Sequence, residues 1–166
     1  ALVGNFYPKI IVTSNNGCVD SFSRKAITFP MPVSKITFND SDQCVRYNSF
    51  TVTASSTVSS GTVTNKGFWG DGKTYTGNSN VNKYATSGTY NVINIATTDN
   101  NCIDTLIKKT IAFPMPISKY KVNDSAQCFA NQNFVFTDIS SISSGSYTRK
   151  WMFADSNSTR SIVTRK

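Results

Sequence analysis

A tandem repeat constrains this chain more than any other feature. Residues 29–44 read FPMPVSKITFNDSDQC, and residues 113–128 read FPMPISKYKVNDSAQC. The same offset of 84 residues separates Cys18 from Cys102 and Cys44 from Cys128, so no insertion shifts one copy against the other. A constant period of this length predicts an array of similar domains, one for each copy.

The period divides the chain into one unbroken copy and two partial ones. Residues 29–112 form the complete repeat, residues 1–28 match the C-terminal strands of a copy, and residues 113–166 match the N-terminal part of another. Two interpretations remain open: an excerpt from a longer array, or a subunit whose neighbour completes the divided domain. We expect the first, because the sequence has neither an initiator Met nor a signal segment.

Composition narrows the function class. Hydrophobic residues make up 39% and charged residues 16% of the chain, which has no His and a net charge of +8. The commonest general base is therefore missing, and we expect no enzyme. The basic residues are dispersed, which argues against nucleic-acid binding, and no apolar run is long enough to span a membrane. Two Cys per repeat without His or CxxC favour an oxidising, extracellular setting over zinc.

Short strand signals alternate with Gly, Asn, Asp and Ser throughout residues 29–112. In the segment FTVTA, Phe50, Val52 and Ala54 alternate inward, and this pattern predicts an antiparallel two-sheet sandwich with almost no helix. Proline-containing joints, FPMP at 29–32 and 113–116, stiffen the passage between domains and predict a rod. The expected strands are KITF (35–38), FTVTA (50–54), NKGFWGDG (65–72), TYNVINIATT (89–98) and CIDTLIKKTIAF (102–113).

Several short motifs resemble the polycystic-kidney-disease (PKD) domain family. In that family's order, the chain carries Trp69-Gly70-Asp71-Gly72, then Tyr84, then Gly88-Thr89-Tyr90-Asn91-Val92. The next copy offers Trp151, Phe153 and Asp155 for the first motif. Together with N-D-S-x-Q-C and G-C-x-D-S/T, the pattern is similar to PKD arrays of giant Bacteroidetes surface proteins, among them gliding-motility adhesins and other cargo of the type IX secretion system.

The resemblance implies tandem immunoglobulin-like β-sandwiches that act as spacers or adhesive modules outside the cell. The chain departs from the family pattern at three positions. Gly67 stands where the family has a core Trp, Pro8 interrupts an expected central strand, and Asn94 stands where a side chain should face the core.

The candidate site residues have structural explanations as well as functional ones. Asp71 between two glycines is typical of a turn, and Tyr90 resembles a tyrosine corner. Asp40 and Asp42, or Asp99 beside Asn100, are candidate calcium ligands at a joint, although Asp42 becomes Ala126 in the next copy. The larger aromatic residues are expected in the core: Phe50, Phe68, Trp69, Phe134, Phe136, Trp151 and Phe153.

Surface chemistry offers two further expectations. The basic doublets Arg24-Lys25 and Lys108-Lys109 recur one period apart, so an array would display a positive ladder toward anionic polysaccharide or lipopolysaccharide. Short triplets match N-glycosylation acceptors and the Bacteroidetes O-glycosylation pattern. They begin at Asn39, Asn123 and Asn157, and at Asp104 and Asp124, respectively.

The cysteines are predicted to bridge across joints. In the immunoglobulin-type topology, Cys44 lies at the pole facing the next domain and Cys102 at the pole facing the previous one. A disulfide needs Cα atoms within about 7 Å, so we expect neither a 44–102 nor an 18–44 bond. The strand-B cysteines, Cys44 and Cys128, should pair with last-hairpin cysteines equivalent to Cys18 and Cys102 in neighbouring segments. The alternative is four free, buried thiols.

These observations predict a structural or adhesive segment of a long secreted fibre. The alternative is an accessory, non-catalytic array of a secreted polysaccharide- or protein-degrading enzyme. No catalytic or cofactor-binding residues are predicted.

Overall fold

The structure is a computed structural model that describes residues 2–154 and 159–162. Every regular element in those residues is a β-strand, which confirms the expected all-β class. The same part of the chain contains no helix long and apolar enough to cross a membrane.

The complete repeat contains eight strands in two sheets. The strands are β5 (Ile36–Phe38), β6 (Asp42–Cys44), β7 (Phe50–Ala54), β8 (Val63–Phe68), β9 (Thr74–Thr76), β10 (Ser79–Asn82), β11 (Gly88–Thr98) and β12 (Ile103–Phe113). One sheet has the order β10-β7-β5, and the other has the order β6-β12-β11-β8-β9.

The first strand of the domain is divided between the two sheets, as in immunoglobulin-like sandwiches. β5 pairs antiparallel with β7, and β6 then pairs parallel with the end of β12. The other named strand pairs in the described residues are antiparallel, as expected, and the β6–β12 pair is the exception. After β5 the chain crosses to the other sheet without reversing direction, which places β6 alongside β12 in the same sense.

The core lies between these sheets and draws on both. Phe50, Val52 and Ala54 alternate toward it along β7, as predicted, because successive strand residues face opposite sides. Val92 and Ala112 face it from the larger sheet and are at most 1% exposed. The structure corrects one expected core residue: Phe68 is 39% exposed. It follows Gly67 on β8 and therefore faces outward.

Residues 2–28 form a long, interrupted hairpin whose register repeats that of β11 and β12. Its strands are β1 (Gly4–Phe6), β2 (Lys9–Thr13), β3 (Val19–Ser23) and β4 (Ala26–Thr28). Gly4 faces Thr28, just as Gly88 faces Ala112 one period later. Pro8 does not sit inside a strand, contrary to expectation. Because proline has no N–H to donate, the strand breaks there, between β1 and β2.

Residues 117–154 begin the same sandwich again. Tyr120 faces Asp138 in the register of Ile36 and Ala54, and the Ile117–Ser141 bridge repeats the Val33–Thr57 bridge. The strands are β13 (Tyr120–Val122), β14 (Phe136–Asp138), β15 (Trp151–Ala154) and β16 (Thr159–Ile162). In the described ranges, each named strand pairs with strands of its own segment. The domain boundaries between residues 28 and 29 and between residues 112 and 113 stay predictions.

The repeated N-D-S-x-Q-C motif forms a polar clasp ahead of β7. Asn39 Nδ2 donates to Ser49 O at 2.9 Å, and Asn39 Oδ1 accepts from Thr51 N at 2.8 Å. Gln43 Oε1 accepts from Ser49 N at 2.7 Å, and its Nε2 donates to Ser49 O at 3.2 Å. These hydrogen bonds satisfy the backbone N–H and C=O groups of Ser49 and the N–H of Thr51, and they hold the segment that ends at Cys44 in place.

The clasp is rebuilt one period later. Asn123 and Gln127 both donate to Asn133 O, at 2.8 Å and 3.1 Å, and Gln127 Oε1 accepts from Asn133 N at 2.6 Å. In both copies the motif therefore has a structural role.

Candidate functional site

The G-D-G segment of the complete repeat is a turn whose carboxylate is used internally. Asp71 Oδ1 accepts from Lys73 N at 3.1 Å, and Oδ2 accepts from Asn82 Nδ2 at 2.9 Å and lies 3.2 Å from Lys73 Nζ. Desolvation acts to raise the pKa of Asp71, but the hydrogen bonds from Asn82 and Lys73 and the lysine charge leave it lowered overall. The ionised carboxylate of Asp71, bound by these donors, therefore stabilises the turn.

Glycine is required on the N-terminal side of this turn. Gly70 has φ of 82°, and a Cβ there would lie 2.8 Å from Asn91 O. Only glycine adopts such a backbone without strain at so close an approach.

Three aromatic motif residues pack beneath the turn. Tyr84 Oη donates to Trp69 O at 2.7 Å, and the Tyr84 ring stacks on Tyr90 with centroids 3.7 Å apart. Tyr90 Oη donates to Thr86 O at 2.8 Å, which is the geometry of a tyrosine corner. Trp69 and Tyr84 are at most 2% exposed, so in the complete repeat they are core residues.

A buried polar network, which sequence reasoning missed, surrounds Asn94. This side chain is fully buried, and its Nδ2 donates to Ser34 Oγ and Asn65 Oδ1, both at 2.9 Å. Tyr75 Oη donates to Asn94 Oδ1 at 3.0 Å. The sequence shows Asn94 on the inward face but gives no sign of its partners, which lie up to 60 residues away.

The departure at Gly67 is explained by Tyr75. A Cβ at Gly67 would overlap the Tyr75 ring and Ile93 O, so the tyrosine occupies the space of the missing side chain. One period later the sizes are reversed, with Trp151 at the position of Gly67 and Thr159 at that of Tyr75. This exchange of large and small residues was visible in the sequence, but only the pairing of β8 with β9 shows that Gly67 and Tyr75 are neighbours. In the next copy the register differs, and Trp151 faces Ile162.

The motif residues of the next copy are less covered. Trp151 is half-buried and Phe153 is 37% exposed, with their rings 6.1 Å apart. The core prediction is also wrong for Phe134 and Phe136, which are 40% and 37% exposed. In the described residues of this copy no counterpart of the β11–β12 hairpin covers them. Asp155 lies outside the described residues.

The cysteines occupy opposite poles of the complete repeat. Cys44 faces Phe113 at the end of β12, whereas Cys102 directly precedes the start of that strand. At about 3.3 Å per residue, the two cysteines lie roughly 35 Å apart along the sheet, too far for a disulfide. Cys18, Cys44 and Cys128 are exposed and Cys102 is half-buried. The alternative of four buried thiols is therefore wrong, because these turn and edge positions remain open to solvent.

The two basic doublets differ in their placement. Lys108 and Lys109 are consecutive on β12 and both exposed, so their side chains leave opposite faces of the strand. Arg24 and Lys25 lie in the break between β3 and β4 and are also exposed. The structure therefore does not bring Lys108 and Lys109 together as one patch.

The candidate calcium ligands make local contacts. Asp40 Oδ1 accepts from Asp42 N at 3.1 Å, and Asn100 Nδ2 donates to Asp99 Oδ1 at 3.3 Å. Within residues 2–154 and 159–162, no three His, Cys, Asp or Glu residues cluster as metal ligands.

The described residues that begin the glycosylation triplets also make hydrogen bonds within the chain. Asn39 and Asn123 have their amides committed to the clasps. Asp104 accepts from Ser34 N at 2.7 Å, and Asp124 accepts from Ala126 N at 3.1 Å. Asn157 lies outside the described residues.

Comparison with known proteins finds similarity among solved structures. No protein-family model matches the chain, and no curated protein matches it significantly. Among solved structures, the chain is similar to the crystal structure of the PKD1 domain of Vibrio anguillarum Epp. The identity is 18% and the TM-score 0.44, over 49% of this chain and 93% of that domain. The strand pairings themselves establish the all-β sandwich.

Proposed function

We propose that this chain is a structural segment of a long extracellular fibre, in which repeated sandwiches act as a stalk that extends from the cell surface and adheres. The recurrence one period apart of the β11–β12 register in residues 4–28 and of the β5–β7 register in β13 and β14 supports this most directly. Asp71, Tyr84, Tyr90 and Asn94 support it too, because their polar atoms bind other parts of the same domain.

The joint before the complete repeat supports a stiff stalk. There Pro30 and Pro32 are buried, whereas Phe29, Met31 and Val33 are exposed. Proline restricts the backbone, and burial of both rings limits bending at the joint further.

Covalent arrays of increasing repeat number test the stalk. Each domain should add about 35 Å, the length of an eleven-residue strand, to the maximum dimension measured by small-angle X-ray scattering. Linear growth is expected for a stiff rod. Growth close to the square root of repeat number, as for a flexible chain, would contradict the proposal.

Disulfides across joints would reinforce such a rod. Cys44 is held beside Phe113, where the chain leaves the domain, and Cys102 lies at the entry pole. Mass spectrometry of non-reduced peptides from arrays assembled under oxidising conditions should find strand-B cysteines linked to last-hairpin cysteines of the following domain. Bonds of the 44–102 or 18–44 type would refute this pairing.

Adhesion to anionic polysaccharide or lipopolysaccharide is the proposed role of the basic doublets. Exposed Lys108 and Lys109 on opposite faces of β12 suit a polymer that wraps around the fibre through many weak contacts. Replacing both doublets by Ser in an array should abolish salt-sensitive binding to heparin or lipopolysaccharide. Unchanged binding at low salt would show that Arg24, Lys25, Lys108 and Lys109 do not hold the polymer.

A further inference from the structure

Three polar side chains meet at one side of the complete repeat. Lys73 directly precedes β9, an edge strand of the larger sheet, and Asn82 ends β10, an edge strand of the smaller sheet. Lys73 Nζ donates to Asn82 Oδ1 at 2.7 Å, and Asn82 Nδ2 donates to Asp71 Oδ2 at 2.9 Å. The same Asp71 oxygen lies 3.2 Å from Lys73 Nζ, so an amine, an amide and a carboxylate are in mutual contact.

The two neighbours of Asn82 fix the orientation of its amide. A carboxylate only accepts hydrogen bonds and an ammonium only donates them, so the amide nitrogen must face Asp71 and the amide oxygen must face Lys73. The carbonyl carbon of Asn82, one bond from that oxygen, therefore lies beside the amine. The amide nitrogen already contacts the carboxylate that can exchange protons with it.

The surrounding fold holds these groups in contact. Lys73 N donates to Asp71 Oδ1 at 3.1 Å, and Trp69 N donates to Lys73 O at 2.9 Å, so the backbone of Lys73 is fixed by the turn. Asn82 faces fully buried Phe50 across the β7–β10 pair and is 4% exposed, and the side chain of Asp71 is 15% exposed. Groups oriented in this way within one molecule react with effective concentrations of about 10⁵–10⁸ M.

We propose that Lys73 and Asn82 join in an intramolecular isopeptide bond, with Asp71 transferring the proton. Asp71 takes a proton from the Lys73 ammonium, and the free amine attacks Asn82 Cγ. The Nζ–Cγ bond forms as the Cγ–Nδ2 bond breaks, and Asp71 returns its proton to Nδ2. The nitrogen leaves as ammonia, which takes up the second proton that Nζ loses. The products are an amide and an ammonium ion, no co-reactant is consumed, and Asp71 ends ionised as it began.

The bond links the two sheets covalently, because Lys73 adjoins β9 and Asn82 belongs to β10. It closes a short ring of the chain, and such a ring restricts the unfolded state as a disulfide does. The same three residue types recur 84 residues later as Asp155, Asn157 and Lys166, with lysine and asparagine exchanged. An amide can join the two in either order, so the exchange retains the functional groups that the reaction needs. These three residues lie outside the described part of the chain.

Peptide mass spectrometry of the 166-residue chain tests the bond. Trypsin should release residues 67–83 as one peptide that is lighter than its sequence by one ammonia, because an acylated Lys73 is not cleaved. Lys73→Arg retains the charge but has no amine to acylate, and Asp71→Ser retains an acceptor for the Lys73 N–H but has no carboxylate. Both variants should lose the cross-link. The matched control, Lys83→Arg, changes the next lysine along the chain and should keep it.

Two peptides of full mass, separated by cleavage after Lys73, would overturn the proposal if they came from the folded chain. Ammonia loss with normal cleavage after Lys73 would also overturn it, because that result indicates a succinimide at Asn82. Persistence of the cross-link in Lys73→Arg or Asp71→Ser would overturn the assigned roles. Buried Trp69 reports by fluorescence, in a Trp151→Phe background, that the complete repeat is folded in every variant. The bond lies within one domain, so its absence would leave the stalk proposal standing.

Discussion

Replacing Asn94 by Ala should lower the unfolding free energy of the complete repeat by about 3 kcal/mol. The amide makes three buried hydrogen bonds of 2.9–3.0 Å, to Ser34, Asn65 and Tyr75. Each contributes about 1 kcal/mol net. Asn94→Leu should not restore stability, because an apolar side chain leaves the three polar partners in the core without the atoms they bind.

Urea unfolding followed by fluorescence measures this effect. In a Trp151→Phe parent, Trp69 reports on the complete repeat alone, and at an m value of about 1 kcal/mol/M the midpoint should fall by about 3 M. The control is Asn91→Ala, on the exposed face of the same strand, which should cost no more than about 0.5 kcal/mol. A loss at Asn94 below about 1 kcal/mol, or equal to that at Asn91, would refute the network as a source of stability.

Three further changes test the packing. Burial raises the pKa of Tyr75 to about 12, above the value of about 10 in an unfolded chain. The contribution of the neutral Tyr75 side chain to folding stability is therefore complete below pH 10 and is lost as pH rises toward 12. Tyr75→Phe should flatten this part of a profile of stability against alkaline pH, and an unchanged slope would contradict the assignment. Gly67→Ala should destabilise by about 1–3 kcal/mol through overpacking, and a neutral result in thermal unfolding would show that the Tyr75 ring moves aside freely. Asn39→Ala should cost about 1–2 kcal/mol by removing both clasp bonds, whereas an unaltered urea midpoint would show that Gln43 holds the segment alone.

The repeat and the type of its secondary-structure elements could be predicted from local patterns along the chain. The period follows from identical residues at a constant offset, and the all-β class follows from alternation and from turn residues. Phe50 and Val52 could be assigned to the core because a strand alternates its faces whatever its neighbours are. Asp71 between its glycines could be assigned to a turn for the same reason: the conformation depends on adjacent residues only.

The contacts between distant positions could not be predicted in this way and became visible in the folded domain. Asn94 appeared as an anomaly on an inward face until Ser34, Asn65 and Tyr75, brought from other strands, satisfied its amide. Gly67 likewise appeared as the loss of a core side chain until Tyr75 filled the space. Local pattern determines the face that a residue takes, but the neighbours across a sheet or a core depend on strand order and register, which arise when the whole domain closes around its apolar side chains.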